Sequence, residues 1–402
     1  MSWIACASVL AAFAAGDKKD EQRTWTISAD FVYTASGDAI EGGIVSVSDG
    51  KIRSVSNGGG GELKVAAVTP GMIDLSIHID RGFYSVEQSR EVTPEMRVAQ
   101  TLDLFDEQWK TQARSGVTTA MVNTPDRNVI GGLSVVLKTA GEKSVAARTL
   151  KADAVLFGAM GSAPSQQNHP AFGRPEDFYS RRPTTRMGVE WEWRKALYDA
   201  AAARADVAKS AAGSSELQNV LEGKLPLMIE AWTTQDIRTA VFLKEEMERE
   251  GLGRPSLIVD SAAEAWKEPQ LLVRSKASVV LPPFPPQGRT NDNAFFAWDT
   301  AKLLDSLGIS ITLSAHGASG FSERLDRQAG FAMRGGLAFD AALRAVTINP
   351  ARMVGVDKRV GSLESGKDAD LVLWNGKPFE ATSRVVGVLI DGRLILDPRS
   401  QD

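Results

Sequence analysis

The run VTPGMIDLSIHID at residues 68–80 places a Pro-Gly break directly ahead of MIDLSIHI (72–79), a strand-length stretch in which Met72, Ile73, Leu75, Ile77 and Ile79 are apolar and Asp74, Ser76 and His78 are polar. A strand that faces water on one side alternates apolar and polar residues, whereas an unbroken apolar run suits a strand buried on both faces. Other short runs follow: VTTAMVN (117–123), DAVLFGA (153–159), PLMIEAW (226–232), SLIVD (256–260), SVVL (278–281) and ISITLS (309–314). Helical stretches alternate with them, clearest at 190–208 and at 337–348, where Phe339, Leu343 and Val346 share one face and Asn349-Pro350 ends the pattern. Buried strands alternating with helices read as parallel βα units, and hence as an α/β barrel.

The two ends of the chain carry a different signal. IVSVS-DG-KIRSVS (44–56) and VVGVLI-DG-RLIL (385–396) each set an Asp-Gly pair between β-rich runs. Both central residues of a type I′ turn need positive φ, which Asp-Gly tolerates, so each stretch reads as a two-residue hairpin. Neither hairpin covers its own apolar face, so the two are expected to pack together as one small β-sandwich, with DADLVLW (368–374) adding a strand. The sandwich is assigned to residues 24–66 with 358–400, and the barrel to 67–357.

With 402 residues, 43% apolar and 24% charged, the chain has ample material for a large core. The 46 Lys plus Arg against 50 Asp plus Glu leave no basic excess of the kind nucleic acid requires, so nucleic acid is not expected as a partner. A lone cysteine, Cys6, closes no intramolecular disulfide, and three histidines, His78, His169 and His316, exclude any centre that needs four imidazoles. WIACASVLAAFAA (3–15) ends in small residues before GDKKDEQR and resembles a secretory signal, which assigns residues 1–16 to a signal peptide and the mature chain to the periplasm or exterior; without it the chain is cytoplasmic. No run reaches the length of a membrane span.

VTPGMIDLSIHID and ALRAVTINPARMVGVDKRVGSLESGKDADLVLWNG (342–376) together resemble the amidohydrolase superfamily, in its imidazolonepropionase-like branch, and the resemblance extends over roughly residues 24–397. It implies a distorted TIM (β/α)8 barrel with a small β-sandwich formed by the terminal segments. It also implies hydrolysis of non-peptide C–N bonds by water activated on one or two divalent ions at the C-terminal mouth of the barrel. In that light the histidine pair of the first strand falls on Ser76 and His78. A further histidine position holds Glu230, with Trp232 two residues on; another holds Ser261 beside Asp260; and His316 stands where the family has its aspartate. Lys138 lies where some relatives carry a carboxylated, metal-bridging lysine.

The resemblance therefore leaves two readings. In one, what remains is either a rearranged site holding one divalent ion, zinc or manganese, on His78, Glu230 and His316, joined by Lys138 if that lysine is carboxylated, or an acid–base pair of His316 with Asp260 that works without metal. Arg186, in the cluster with Arg181 and Arg182, would then bind a substrate carboxylate, and the substrate would be a cyclic amide or a small peptide-like molecule. In the other, preferred here, the same groups are hydrogen-bonded within a remodelled cavity, no cofactor binds, and the protein is a catalytically impaired binding or assembly module. It would then pair with an intact paralogue or with itself. Asp74 is read as structural, His169 as solvent-facing, Trp191 and Trp193 as packing residues, and the glycines at 58–60 as a linker.

Overall fold

A computed structural model describes residues 24–77, 87, 89–166, 182–284, 295–317 and 324–400; the proposed signal segment, His78, His169 and Arg181 lie outside the described residues. The terminal segments build one seven-stranded sheet in the order β17-β16-β15-β4-β1-β2-β3. It contains β1 (Trp25–Val32), β2 (Ile40–Ser48), β3 (Lys51–Asn57), β4 (Leu63–Pro70), β15 (Leu371–Trp374), β16 (Val385–Ile390) and β17 (Arg393–Leu396). The two halves join where β15 pairs antiparallel with β4. Both hairpins form as expected, with Asp49 and Gly50 at φ 54° and 75°, and Asp391 and Gly392 at 48° and 72°.

The free side of β3 is covered. The Ile52 amide donates to the Lys367 carbonyl at 2.9 Å, the Gly366 amide to the Ile52 carbonyl at 2.9 Å, and the Ala369 amide to the Gly50 carbonyl at 2.9 Å. The segment that leads into β15 thus lies against the opposite edge, and the sheet doubles back over an apolar cluster that includes Trp25, Ile27, Val45, Ile52, Leu371 and Leu389.

The middle of the chain is mixed α/β. Six strands run in the order β14-β13-β12-β11-β10-β7 and four in the order β5-β6-β8-β9. They are β5 (Met72–Ile77), β6 (Val117–Val122), β7 (Ile130–Leu133), β8 (Val135–Lys138), β9 (Thr149–Lys151), β10 (Leu156–Ala159), β11 (Leu227–Glu230), β12 (Leu257–Asp260), β13 (Ser278–Leu281) and β14 (Ile311–Leu313). β10 to β14 pair in parallel, as the buried apolar runs imply, while β7, β8 and β9 add antiparallel pairs that the sequence patterns do not show. No continuous ladder joins the two sheets among the described residues. They share an interior instead: Ile73, Leu75, Met121 and Val136 from one meet Phe157, Met228, Ile258 and Val280 from the other in a single buried cluster.

Helices cover the outside. The expected helix at 337–348 divides into Phe339–Ala345 and Ile348–Met353, and Pro350 belongs to the second. Pro350 falls in the first turn, where an amide has no intrahelical partner, so it starts a helix there instead of ending one. The helix Arg186–Ala205 begins at Thr185, whose hydroxyl accepts from the Gly188 amide at 3.1 Å. It is held down by Trp193, which is fully buried and donates its indole N–H to the Ala159 carbonyl at 3.1 Å. A Cβ at Gly158 would lie 2.5 Å from the Trp193 ring and 2.2 Å from the Val129 carbonyl, so only glycine fits beneath that indole. Gly158→Ala is expected to lower stability by about 1–3 kcal/mol through overpacking, measured as a drop in urea midpoint at unchanged slope.

Candidate active site

Parallel α/β sheets place their functional groups at the C-terminal ends of the strands. Glu230 and Asp260 are the last residues of β11 and β12 and are register partners. Met228 and Ile258, two residues earlier on the same strands, face the interior cluster, so the period of two sends both carboxylates inward as well. On β5, Asp74 accepts hydrogen bonds from the Ser76 amide at 3.1 Å, the Ser314 hydroxyl at 2.6 Å and the Ala315 amide at 2.8 Å. These bonds fasten the end of β14 to β5 and direct the following residue, His316, to the mouth.

Ser76 donates its hydroxyl to Asp260 Oδ2 at 2.9 Å. Asp260 is fully buried, and its Oδ1 makes no hydrogen bond among the described residues. Burial pushes this carboxyl up to about 7. The Ser76 hydroxyl and the Ser261 amide favour its charged form, and the nearby Asp74 carboxylate opposes it. Next along the chain, the Ser261 hydroxyl lies 3.2 Å from His316 Nε2. Both residues adopt left-handed backbone conformations, φ 55° for Ser261 and 53° for His316, at a cost that only well-held sites sustain. The edge of Trp232 meets the His316 ring at a centroid distance of 5.9 Å, and its indole N–H donates to Glu230 Oε1 at 2.5 Å.

An aromatic wall continues outward from Trp232 through Phe296 to Phe284 and Trp298. Glu264 holds its outer end, accepting from the Phe295 amide at 3.0 Å and the Thr234 amide at 2.8 Å and pairing with Lys267 at 2.7 Å. Although burial raises it, these partners together hold the Glu264 carboxyl down at about 2.

The mouth therefore gathers Glu230, Asp260 and His316, each held by a neighbour. His78 lies outside the described residues. Lys138 is not brought here: its ammonium is buried beneath the terminal sheet, 2.5 Å from Asp370, 3.0 Å from Asp368 and 3.2 Å from Asp391. Three carboxylates satisfy a cation there, so the lysine has an electrostatic role in joining β8 to the terminal sheet. Arg186 also differs from the expected open fork. Its guanidinium closes on Asp236 in the first turn of the helix Thr234–Arg249, with Nε to Oδ1 at 2.9 Å and Nη2 to Oδ2 at 3.3 Å. Sequence reasoning missed the pairing of Ser261 with His316 and the aromatic wall; the one available signal was Trp232, two residues beyond Glu230.

Among the described residues the candidate donors are engaged with one another. Ser76 presents a neutral hydroxyl to Asp260, Trp232 occupies a Glu230 oxygen, and His316 Nε2 is turned to Ser261. Among the described residues no group of three or more His, Cys, Asp or Glu side chains converges as a metal site. Nor is any helix among them long and apolar enough to cross a membrane.

This mixed α/β architecture, with functional groups at the strand ends, is similar to that of solved amidohydrolases, and a family model, a curated relative and a solved structure all support the amidohydrolase superfamily. A family model described as "Amidohydrolase family" matches residues 288–395. The solved amidohydrolase from Thermotoga maritima MSB8 superimposes with a TM-score of 0.80 at 26% identity, over 92% of this chain and 99% of that one. Amidohydrolase tasK of Hapsidospora irregularis is 24% identical over 364 residues, 82% of this chain and 36% of the relative. An imidazolonepropionase of Syntrophobacter fumaroxidans is 35% identical over 83 residues, 20% of each. The chain thus spans about a third of the first curated relative and a fifth of the second. An adenosine deaminase from Xanthomonas campestris with bound zinc shares the fold alone, at 17% identity and a TM-score of 0.51.

Proposed function

We propose that this chain is an amidohydrolase-family protein that keeps the mouth as a small-molecule binding site and is impaired in metal-dependent C–N hydrolysis. One observation carries the reading: the residues at the ligand positions hydrogen-bond to their neighbours, Ser76 to Asp260, Ser261 to His316 and Trp232 to Glu230. A hydroxyl or an indole N–H engages an acceptor that a metal would otherwise use. The shared interior of the two sheets supports reading residues 67–357 as a distorted barrel, with 24–66 and 358–400 as its small sandwich. The short imidazolonepropionase match supports the branch.

A second reading, an active hydrolase, is favoured by the Asp260 carboxyl, which exchanges its proton near neutrality beside the Ser261–His316 contact. General acid–base help of that kind is worth about 10²–10⁴-fold, well below what most C–N cleavages need. The deciding experiment combines elemental analysis of the purified protein with hydrolysis assays on a hydantoin, a lactam and a dipeptide. We expect no stoichiometric zinc or manganese and no turnover above background. Stoichiometric metal that is lost in His78→Ala and His316→Ala variants, with turnover lost alongside it, overturns the proposal.

A further inference from the structure

A second cleft, of about 590 Å³, opens between the terminal sheet and the segment that follows β8. β5 and β6 are parallel and β8 is antiparallel to β6, with Lys138 beside Thr119, so the end of β8 lies away from the mouth. Part of the lining is electrically balanced: Lys51, Lys138 and Arg359 are answered by Asp368, Asp370 and Asp391. The segment after β8 is not. Arg148, 5% exposed at the end of the short helix Val145–Arg148, donates from Nε to the Glu142 carbonyl at 2.6 Å, from Nη1 to the Thr139 carbonyl at 3.1 Å and from Nη2 to the Gly141 carbonyl at 3.1 Å. Carbonyls orient a guanidinium without neutralising it, and three bonds leave one N–H on each terminal nitrogen. Burial pulls the Arg148 pKa down, and no carboxylate lifts it back.

Lys143 repeats the pattern. Its ammonium donates to the Leu104 carbonyl at 2.9 Å and lies 4.8 Å from the centre of the Phe105 ring. The other acids of the lining are placed elsewhere: Asp49 pairs with Arg53, Glu107 with Lys110, and Asp106 accepts from the Gln108 amide. Glu142, on the exposed turn, reaches neither cation among the described residues.

We infer that this cleft binds a small organic carboxylate, whose anionic end meets Arg148 and Lys143 and whose apolar body lies against Phe105 and Ile395. A buried cation without a counter-charge costs free energy, and an anion entering the cleft supplies the missing charge. Guanidinium and carboxylate match through paired hydrogen bonds, which suits the two donors that Arg148 retains. Phe105 is 72% exposed and Ile395 half-buried, so an apolar ligand body covers surface that is otherwise wet, as inorganic phosphate would not. The size of the cleft and its place between two packed layers are those of small-molecule sites.

Isothermal titration of the full chain with benzoate, 3-methylbutanoate and inorganic phosphate tests the inference, which does not depend on how the mouth acts. At least one of the two carboxylates should bind, one per chain, and phosphate more weakly. Arg148→Gln should weaken that binding roughly tenfold. Because this change also releases three carbonyls, two further variants are measured: Lys143→Gln, at an exposed residue, and Ala147→Phe, which narrows the cleft without altering a charge. Each should weaken binding by about threefold or more, with the melting temperature unchanged. His316→Ala, at the mouth, should bind the carboxylate as the wild type does. Neither carboxylate binding at millimolar concentration overturns the inference, and so does phosphate binding as tightly as the carboxylates. Binding that is lost in His316→Ala but kept in Lys143→Gln and Ala147→Phe overturns it too, by placing the anion at the mouth.

Discussion

Replacing Lys138 by methionine is expected to remove about 3–5 kcal/mol of stability, because a buried cation that answers three carboxylates disappears while the carboxylates remain. Asp368 and Asp370 have side chains only 1% and 3% exposed, and Asp391 is at the edge at 42%. Lys51 and Arg359 also reach Asp368, at 2.5 Å and 2.8 Å, so the loss falls mainly on Asp370 and Asp391. Urea unfolding of wild type and Lys138→Met measures it, and adding Asp370→Asn should recover a substantial part. A loss below about 1 kcal/mol would show that the cluster contributes little beyond its packing. The pH dependence has a definite sign. Burial lowers the Lys138 ammonium, but Asp370, Asp391 and Asp368 outweigh it and lift the group above its ordinary 10.5. Its stabilisation is then complete below that ordinary value and is lost only as pH rises through the raised one.

The second large effect is at Asp260 and runs the other way from most carboxylates. Its pKa is raised from 3.8 to about 7, so the folded protein holds a proton that the unfolded chain has already released. Stability from this group is complete below pH 3.8 and declines as pH rises to about 7. Asparagine keeps the shape and never carries the charge. Asp260→Asn should therefore match the wild type only below about pH 3.8 and exceed it at about pH 8, by on the order of 4 kcal/mol. Denaturant midpoints at the two pH values check this. An equal effect at both would mean that the carboxyl is not held protonated.

Much of the architecture was legible because its signals are local. An Asp-Gly between β-rich runs determines its own turn, and a four-residue run such as Ser278–Leu281 can be recognised without knowing its neighbours. β7, with the sequence IGGL, and the three-residue β9 carry too little pattern to register. The site was legible only as a list of positions. That Ser261 meets His316 depends on two left-handed residues 55 positions apart. Lys138 ends an apolar strand, and its strongest partner lies 232 residues downstream, so nothing nearby separates a metal-bridging lysine from a structural one. Trp191 and Trp193 looked alike as packing residues; which of them faces water is set by how the helix lies on β10.

The seam between β4 and β15 has a consequence for how this chain is made. β4 leaves the ribosome about 300 residues before β15 exists, which at typical elongation rates is on the order of 15–60 s. Throughout that interval the hydrogen-bonding row that β15 will cover is a bare template, open to pairing with another nascent chain on the same message. Slow translation should therefore favour tangled products of this protein, and trigger-type chaperones that shield young strands should suppress them.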